Sequence, residues 1–191
     1  MDVITNWICS MMVSCGIIRR DQCELIRYGL DLLFFSVGSV FSFLLIGATV
    51  QRLGETALLL CTFIPLQSYG GGYHCQTHLR CYAMMITMLF VAIKLLINTP
   101  VYILWILTAA CFYPVLILAP VQHKKAPFSE KFRQKMQKTE RFCFLLAILF
   151  AILIGAGGGN PSPILSGIIL SGISITCACV QAQFTGGAVT Q

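Results

Sequence analysis

The hydrophobic positions of this chain form long apolar tracts separated by short polar loops, and the tract lengths predict membrane-spanning helices. A span needs about 20 predominantly apolar residues. Leu32 to Val50 is the first tract of that length. After a polar loop with Arg52 and Glu55, Ala57 to Leu66 supplies only ten residues before Gln67, Ser68 and three glycines interrupt it. That tract crosses only if the chain beyond Pro65 stays at membrane depth, where non-helical backbone must meet protein or a wet cavity. Tyr82 to Ile97 is the third span, with Lys94 able to snorkel to the interface. Asn98, Thr99 and Pro100 form a turn, and Val101 to Val121 is the fourth span, kinked at Pro114. Phe142 to Ile154 is the fifth, Gly155 to Pro163 a flexible turn, and Ile164 to Phe184 the sixth. At the N-terminus, Val3, Ile4, Trp7, Ile8, Met11, Met12, Cys15 and Ile18 recur at helical spacing among polar residues. They describe an amphipathic helix on the membrane surface or, equally well, one packed on the body of the protein. It is not a signal peptide, because Arg19 and Arg20 follow the apolar stripe.

Composition agrees. The chain is 57% hydrophobic and only 10% charged in 191 residues, with a mean hydropathy of +0.82, which leaves too little polar surface for a soluble domain. The reading is an all-α integral membrane protein of about six spans, one domain over residues 1–191. The net charge of +6 is confined to loops and reports topology, not nucleic acid. Seven of the 13 basic residues lie between Lys124 and Arg141 beside only Glu130 and Glu140, a net of +5. Phe128, Phe132 and Met136, four residues apart, with Ser129 as cap, predict a basic amphipathic helix there, between spans four and five. The linker 122–141 is then cytoplasmic. Counting back two spans puts residues 70 to 81 on the same side, and two more return a cytoplasmic N-terminus, as Arg19, Arg20 and Arg27 independently require. Both termini are therefore expected in the cytoplasm.

Candidate chemistry concentrates in Tyr69 to Tyr82, YGGGYHCQTHLRCY, which carries two of the three histidines and two of the ten cysteines. The other cysteines are spaced as packing residues, not as a disulfide framework. Ionisable groups at membrane depth are costly and point to function. Three readings stand side by side. One is a Cys/His nucleophile pair, in which imidazole takes the thiol proton. The second is a metal site of His74, His78 and Cys81 on one helical face, with no carboxylate or further cysteine beside it. The third is a cytoplasmic turn with interfacial His and Cys. Acids are scarce, only Asp2, Asp21, Glu24, Asp31, Glu55, Glu130 and Glu140, so no obvious third member of a triad is visible and a dyad is the simpler arrangement. A straight helix would put about 10.5 Å of rise between His74 and Cys81. A bend is therefore expected between them, with the glycines ahead of His74 supplying backbone freedom and Cys81 in the first turns of the third span.

The pattern Gly71, Gly72, Tyr73, His74 and then Cys81 resembles the signature of the accessory gene regulator B (AgrB) family, membrane endopeptidases that process quorum-sensing propeptides in Gram-positive bacteria. The resemblance extends over most of the chain, including the amphipathic N-terminus and the segment Ala119, Pro120, Val121 with Pro127 ahead of a charged stretch. It implies that His74 is the catalytic histidine and Cys81 the nucleophile, while Cys75 and His78 match nothing catalytic. The motif then covers residues 67–82. Gln67 and Ser68 stand where family members often carry a basic residue. The implied substrate is an AgrD-like propeptide with an amphipathic helix, an internal Cys or Ser and an acidic tail. Gln67, Gly71 and Gly72 are its expected contacts at the motif, and Lys131, Arg133 and Lys135 those for the tail. The resemblance also implies a homodimer in the bacterial cell membrane. The implied chemistry needs no cofactor or metal, and the lack of a GxxxxGK loop fits an ATP-independent step. A small transporter or export component for a signal peptide is the alternative; ionisable residues lining several spans, its usual mark, are not seen.

Overall fold

The computed structural model describes residues 2–71, 78–121 and 130–184, and the side chains of these except at 2–4, 28, 32, 78–81, 95, 96 and 182–184. Among the described residues every regular element is a helix and none is a strand, as the apolar tracts require. The helices are α1 (Asp2–Ser14), α2 (Cys23–Thr49), α3 (Leu53–Gly70), α4 (His78–Val91), α5 (Val101–Ala110), α6 (Glu130–Ala156) and α7 (Ser162–Phe184). Helix α4 continues through a π turn at Ala92–Leu96, and α5 is followed by another at Pro114–Leu118. The second sits where Pro114, lacking an N–H, interrupts the helical ladder, so the expected kink at Pro114 takes the form of a π turn.

Among the described residues four helices are long and apolar enough to cross a membrane: Arg20–Thr49, Val101–Leu118, Glu130–Ala156 and Ser162–Gln181. The sequence pattern predicts six crossings. The two additional tracts are the shorter apolar helix Tyr82–Lys94 and α3. Two local differences from the sequence reading have physical causes. Helix α3 carries Pro65 within it and does not stop after Leu66 but runs on through Gln67 and Ser68 to Gly70. Ser68 donates its hydroxyl to Ile64 O at 2.8 Å and Gln67 donates Nε2 to Ser174 Oγ at 2.9 Å. Polar groups satisfied in this way need not break a helix at depth. The basic amphipathic helix and the fifth span are likewise one continuous helix, α6, because no proline or glycine separates Glu130 from Ile154.

The contact pattern divides the chain into two compact units, Met1–Leu45 and Ile46–Gln191. In the first, α1 turns inward its Thr5 and Cys9, both buried, and leaves Trp7 and Met11 exposed. Cys9 Sγ lies 3.7 Å from Cys23 O, and Arg27 donates to Asn6 Oδ1 at 3.2 Å. Leu33, Val37, Phe41 and Leu45, spaced one turn apart on α2, are all exposed, an apolar face suited to hydrocarbon and costly in water.

In the second unit α7 is the central helix. Its span is 78% buried, against 17% for that of α6 and 28% for Val101–Leu118. Small residues let neighbours approach it closely. A Cβ at Gly167 would lie 2.9 Å from Leu59 O on α3, and one at Gly172 would lie 2.6 Å from Cys111 Sγ. The core contains Leu66, Leu104, Val115, Phe144, Ala151, Leu165, Ile168 and Ile175, with the Phe112 and Phe144 rings edge to face at 4.9 Å. At one end of this unit Arg52 bridges Glu55 at 2.7 Å and Asn98 at 3.0 Å, tying the loop before α3 to the turn before α5. At the other end Val121 N donates to Gly70 O at 3.1 Å, joining the end of α3 to the segment after the second π turn.

Candidate functional site

The site is built where α3 ends. Gly70 closes the helix and Gly71 caps it in the left-handed conformation, φ 66° and ψ 51°. Residues other than glycine pay about 1–2 kcal/mol there. The packing is as restrictive as the dihedral, since a Cβ on Gly71 would stand 2.5 Å from Val121 O and 3.1 Å from Val121 N. Gly71 is thus the one residue type that lets the motif leave α3 pressed against the chain at Val121. That chain follows a cis peptide between Ala119 and Pro120. It is held from α6 as well, where Gln137 Nε2 donates to Ala119 O at 3.4 Å and Arg141 donates to Leu116 O at 2.9 Å.

Of the residues singled out in the sequence, Gly72, Tyr73, His74 and Cys75 of the motif and Lys124, Pro127, Phe128 and Ser129 of the basic linker lie outside the described residues. Cys81 is in the first turn of α4, which begins at His78. Backbone N–H groups at a helix start favour an anion nearby. Gln67 lies on the face of α3 that meets α7, its Nε2 on Ser174 and its Oε1 buried without a hydrogen-bond partner among the described residues. Lys131 and Lys135 are exposed on α6. Arg133 is half-buried and bridges Glu130 at 2.7 Å.

The structure brings in a residue that counts, in the sequence alone, only as a counter-charge in a basic run. Glu140 has no exposed surface. Its Oε1 would lie 2.7 Å from a Cβ on Gly70, beside Ile175 of α7. Both carboxylate oxygens are without a hydrogen-bond partner among the described residues. The signal was present in the spacing. Gln137, Glu140, Phe144, Ala147 and Ala151 fall on one stripe of α6, the apolar members of which are core or packed on it.

Helices alone among the described residues, apolar faces turned outward and a buried polar end beside a glycine-capped motif define an all-α membrane protein with its candidate site at one end of the bundle. The family to which it belongs follows from comparison: the family model for accessory gene regulator B matches residues 2–182, and the chain is a member of that family. No curated protein and no solved structure matches it. The family takes part in processing the precursors of autoinducing peptides in quorum sensing.

Proposed function

We propose that this protein is a membrane-embedded cysteine endopeptidase that removes the acidic tail of an AgrD-like propeptide and promotes closure of a thiolactone ring. The observation that carries the reading is the glycine-capped exit of α3 at Gly71, locked against Val121, in a chain matched to the family over residues 2–182.

The chemistry balances without a cofactor. The Cys81 thiol gives its proton to His74, and the thiolate attacks the scissile carbonyl. The C–N bond breaks, His74 returns the proton to the departing amine, and the signal region stays on Cys81 as a thioester. The internal cysteine of the substrate then gives its proton to His74 and attacks that carbonyl. The Cys81–acyl bond breaks, Cys81 leaves as thiolate, and the ring closes. Thioester exchange is nearly isoenergetic, so no nucleotide is required. Excluding bulk water protects the acyl intermediate from hydrolysis. The first turn of α4 supplies N–H groups that favour the Cys81 thiolate.

Topology follows the same logic. The links Arg52 to Asn98 and Gly70 to Val121 gather alternate loops at opposite ends of the bundle, which supports a multi-pass arrangement, and the excess of Lys and Arg on α6 supports a cytoplasmic side for the motif and that basic face. The test is direct. Wild-type protein in proteoliposomes, given an AgrD-like propeptide, should yield a hydroxylamine-labile adduct on Cys81 with the mass of the signal region. Cleavage with no such adduct, even on rapid quenching, would replace covalent catalysis with direct hydrolysis.

Docking of the acidic tail on α6 has a salt signature. From about 0.1 M to about 1 M salt the Debye length falls from about 10 Å to about 3 Å, so KM should rise while kcat holds. Lys131→Glu and Lys135→Glu should each raise KM by about threefold at low salt, the scale of an exposed ion pair. Arg133→Glu should do less, because Arg133 is engaged with Glu130. A KM indifferent to both treatments assigns these charges to topology alone.

A further inference from the structure

Two thiols meet where α1 lies on α2. Cys9 faces inward from α1 with 3% of its surface exposed, and Cys23, half-buried, opens α2. Cys9 Sγ donates to Cys23 O at 3.7 Å, and the two side chains are themselves in hydrogen-bond contact. Thiols that touch across two helices meet the first geometric demand of a disulfide. The dock they sit in is shallow. Among the described side chains of α1 only Thr5 and Cys9 are buried, and the link from Arg27 to Asn6 Oδ1, 3.2 Å long, is exposed.

The two sulfurs are not equivalent. Burial pushes the Cys9 thiol up, and the Cys23 side chain beside it adds to the shift, so Cys9 is a protonated thiol held from solvent at neutral pH. Cys23 stands in a polar stretch, with Arg20, Asp21, Glu24 and Arg27 all exposed around it, ahead of the apolar run that begins at Leu32. An accessible thiol next to a second, resolving thiol is the arrangement of a redox-responsive pair. We propose that Cys9 and Cys23 are a modification site: oxidised by a peroxide, they form a reversible disulfide that ties α1 to α2. The Cys23 thiolate attacks one peroxide oxygen, the O–O bond breaks, and Cys23 becomes a sulfenic acid while the departing hydroxide takes up the thiol proton as water. Cys9 then attacks the sulfenic sulfur. The S–O bond breaks, the S–S bond forms, and a second water carries off the Cys9 proton, so two electrons have passed from the sulfurs to the peroxide. A thiol reductant reverses the link by exchange, and in a reducing compartment the pair rests as two thiols. The pair acts independently of Cys81 and His74.

The test reads a covalent link, not turnover. Full-length protein in detergent is treated with hydrogen peroxide, remaining thiols are blocked with iodoacetamide, and the monodisperse gel-filtration fraction is cut with trypsin at the exposed Arg19 and Arg20. In the wild type the peptide carrying Cys9 should stay joined to the peptide carrying Cys23, lighter by two hydrogens than the separate thiol peptides, and dithiothreitol should part them. The joined form should rise at least about tenfold over untreated protein. Cys23→Ser and Cys9→Ser should each abolish it, with Cys9→Ala in place of the serine variant if a hydroxyl is not tolerated at the buried position. Cys15→Ser should leave it unchanged. Release of the Cys9 peptide without reductant, its linkage to Cys15 or to any cysteine other than Cys23, or a joined pair confined to aggregated material would overturn the proposal.

Discussion

Cys81→Ser is expected to remove propeptide cleavage altogether while the protein still inserts and folds. A serine hydroxyl ionises far above the thiol range, and an imidazole matched to a thiol does not deprotonate it enough to restore the nucleophile. His74→Ala should cost between about 10² and 10⁴ in kcat, the usual contribution of a positioned general base. Cys75→Ala and His78→Ala should retain most of the activity. Cleavage is measured as release of the acidic tail from a propeptide in proteoliposomes, with membrane insertion checked by extraction and gel filtration of each variant. Residual turnover by Cys81→Ser within tenfold of wild type would remove Cys81 from the chemistry. Loss of activity in His78→Ala with restoration by added zinc would instead support a metal-centred site.

The second large effect is expected at Gly71. Any side chain there meets two obstacles. The left-handed dihedral costs about 1–2 kcal/mol outside glycine, and a Cβ would sit 2.5 Å from Val121 O, a backbone atom that cannot rotate away. Gly71→Ala should therefore lower the thermal midpoint and reduce cleavage by at least about tenfold, because the exit of the motif from α3 has to move. Gly71→Asn separates the two causes. Asparagine tolerates the left-handed region but still collides with Val121, so it should be as damaging as alanine. Gly16 is the control: its φ is 68° and a Cβ there would meet nothing within 4 Å, so Gly16→Asn should leave cleavage unchanged. Full activity in Gly71→Asn would mean that the contact with Val121 does not shape the site.

Much of the helical framework was legible from the apolar tracts, because hydrocarbon imposes one length and one secondary structure on whatever crosses it. The kink at Pro114 and the turn at Asn98 to Pro100 were readable for the same local reasons. What misled was polarity taken at face value. Gln67 and Ser68 read as the end of a tract, yet each finds an acceptor, on Ser174 and on Ile64, and the helix runs on to Gly70. Glu140 read as one of two acids diluting a basic run, yet it faces inward beside Gly70 while Lys138 and Arg141 on either side of it stay exposed. A charge count treats these residues as one patch. Their angular positions on α6 separate them by chemistry, and this distinction became visible only once the basic segment and the following span proved to be a single helix.

The burial of α7 bears on how the protein is made. Helices α3, α5 and α6 each pack on α7, but α7 follows all of them in the chain. At about 5–20 residues per second, the ribosome delivers the earlier helices to the membrane seconds before the one that joins them. During that interval the surfaces around Leu59 and Cys111, shaped to receive Gly167 and Gly172, must rest against lipid or against the insertion machinery. Independent insertion followed by lateral association is thus imposed by the order of the segments, and consolidation of the bundle waits for its final helix.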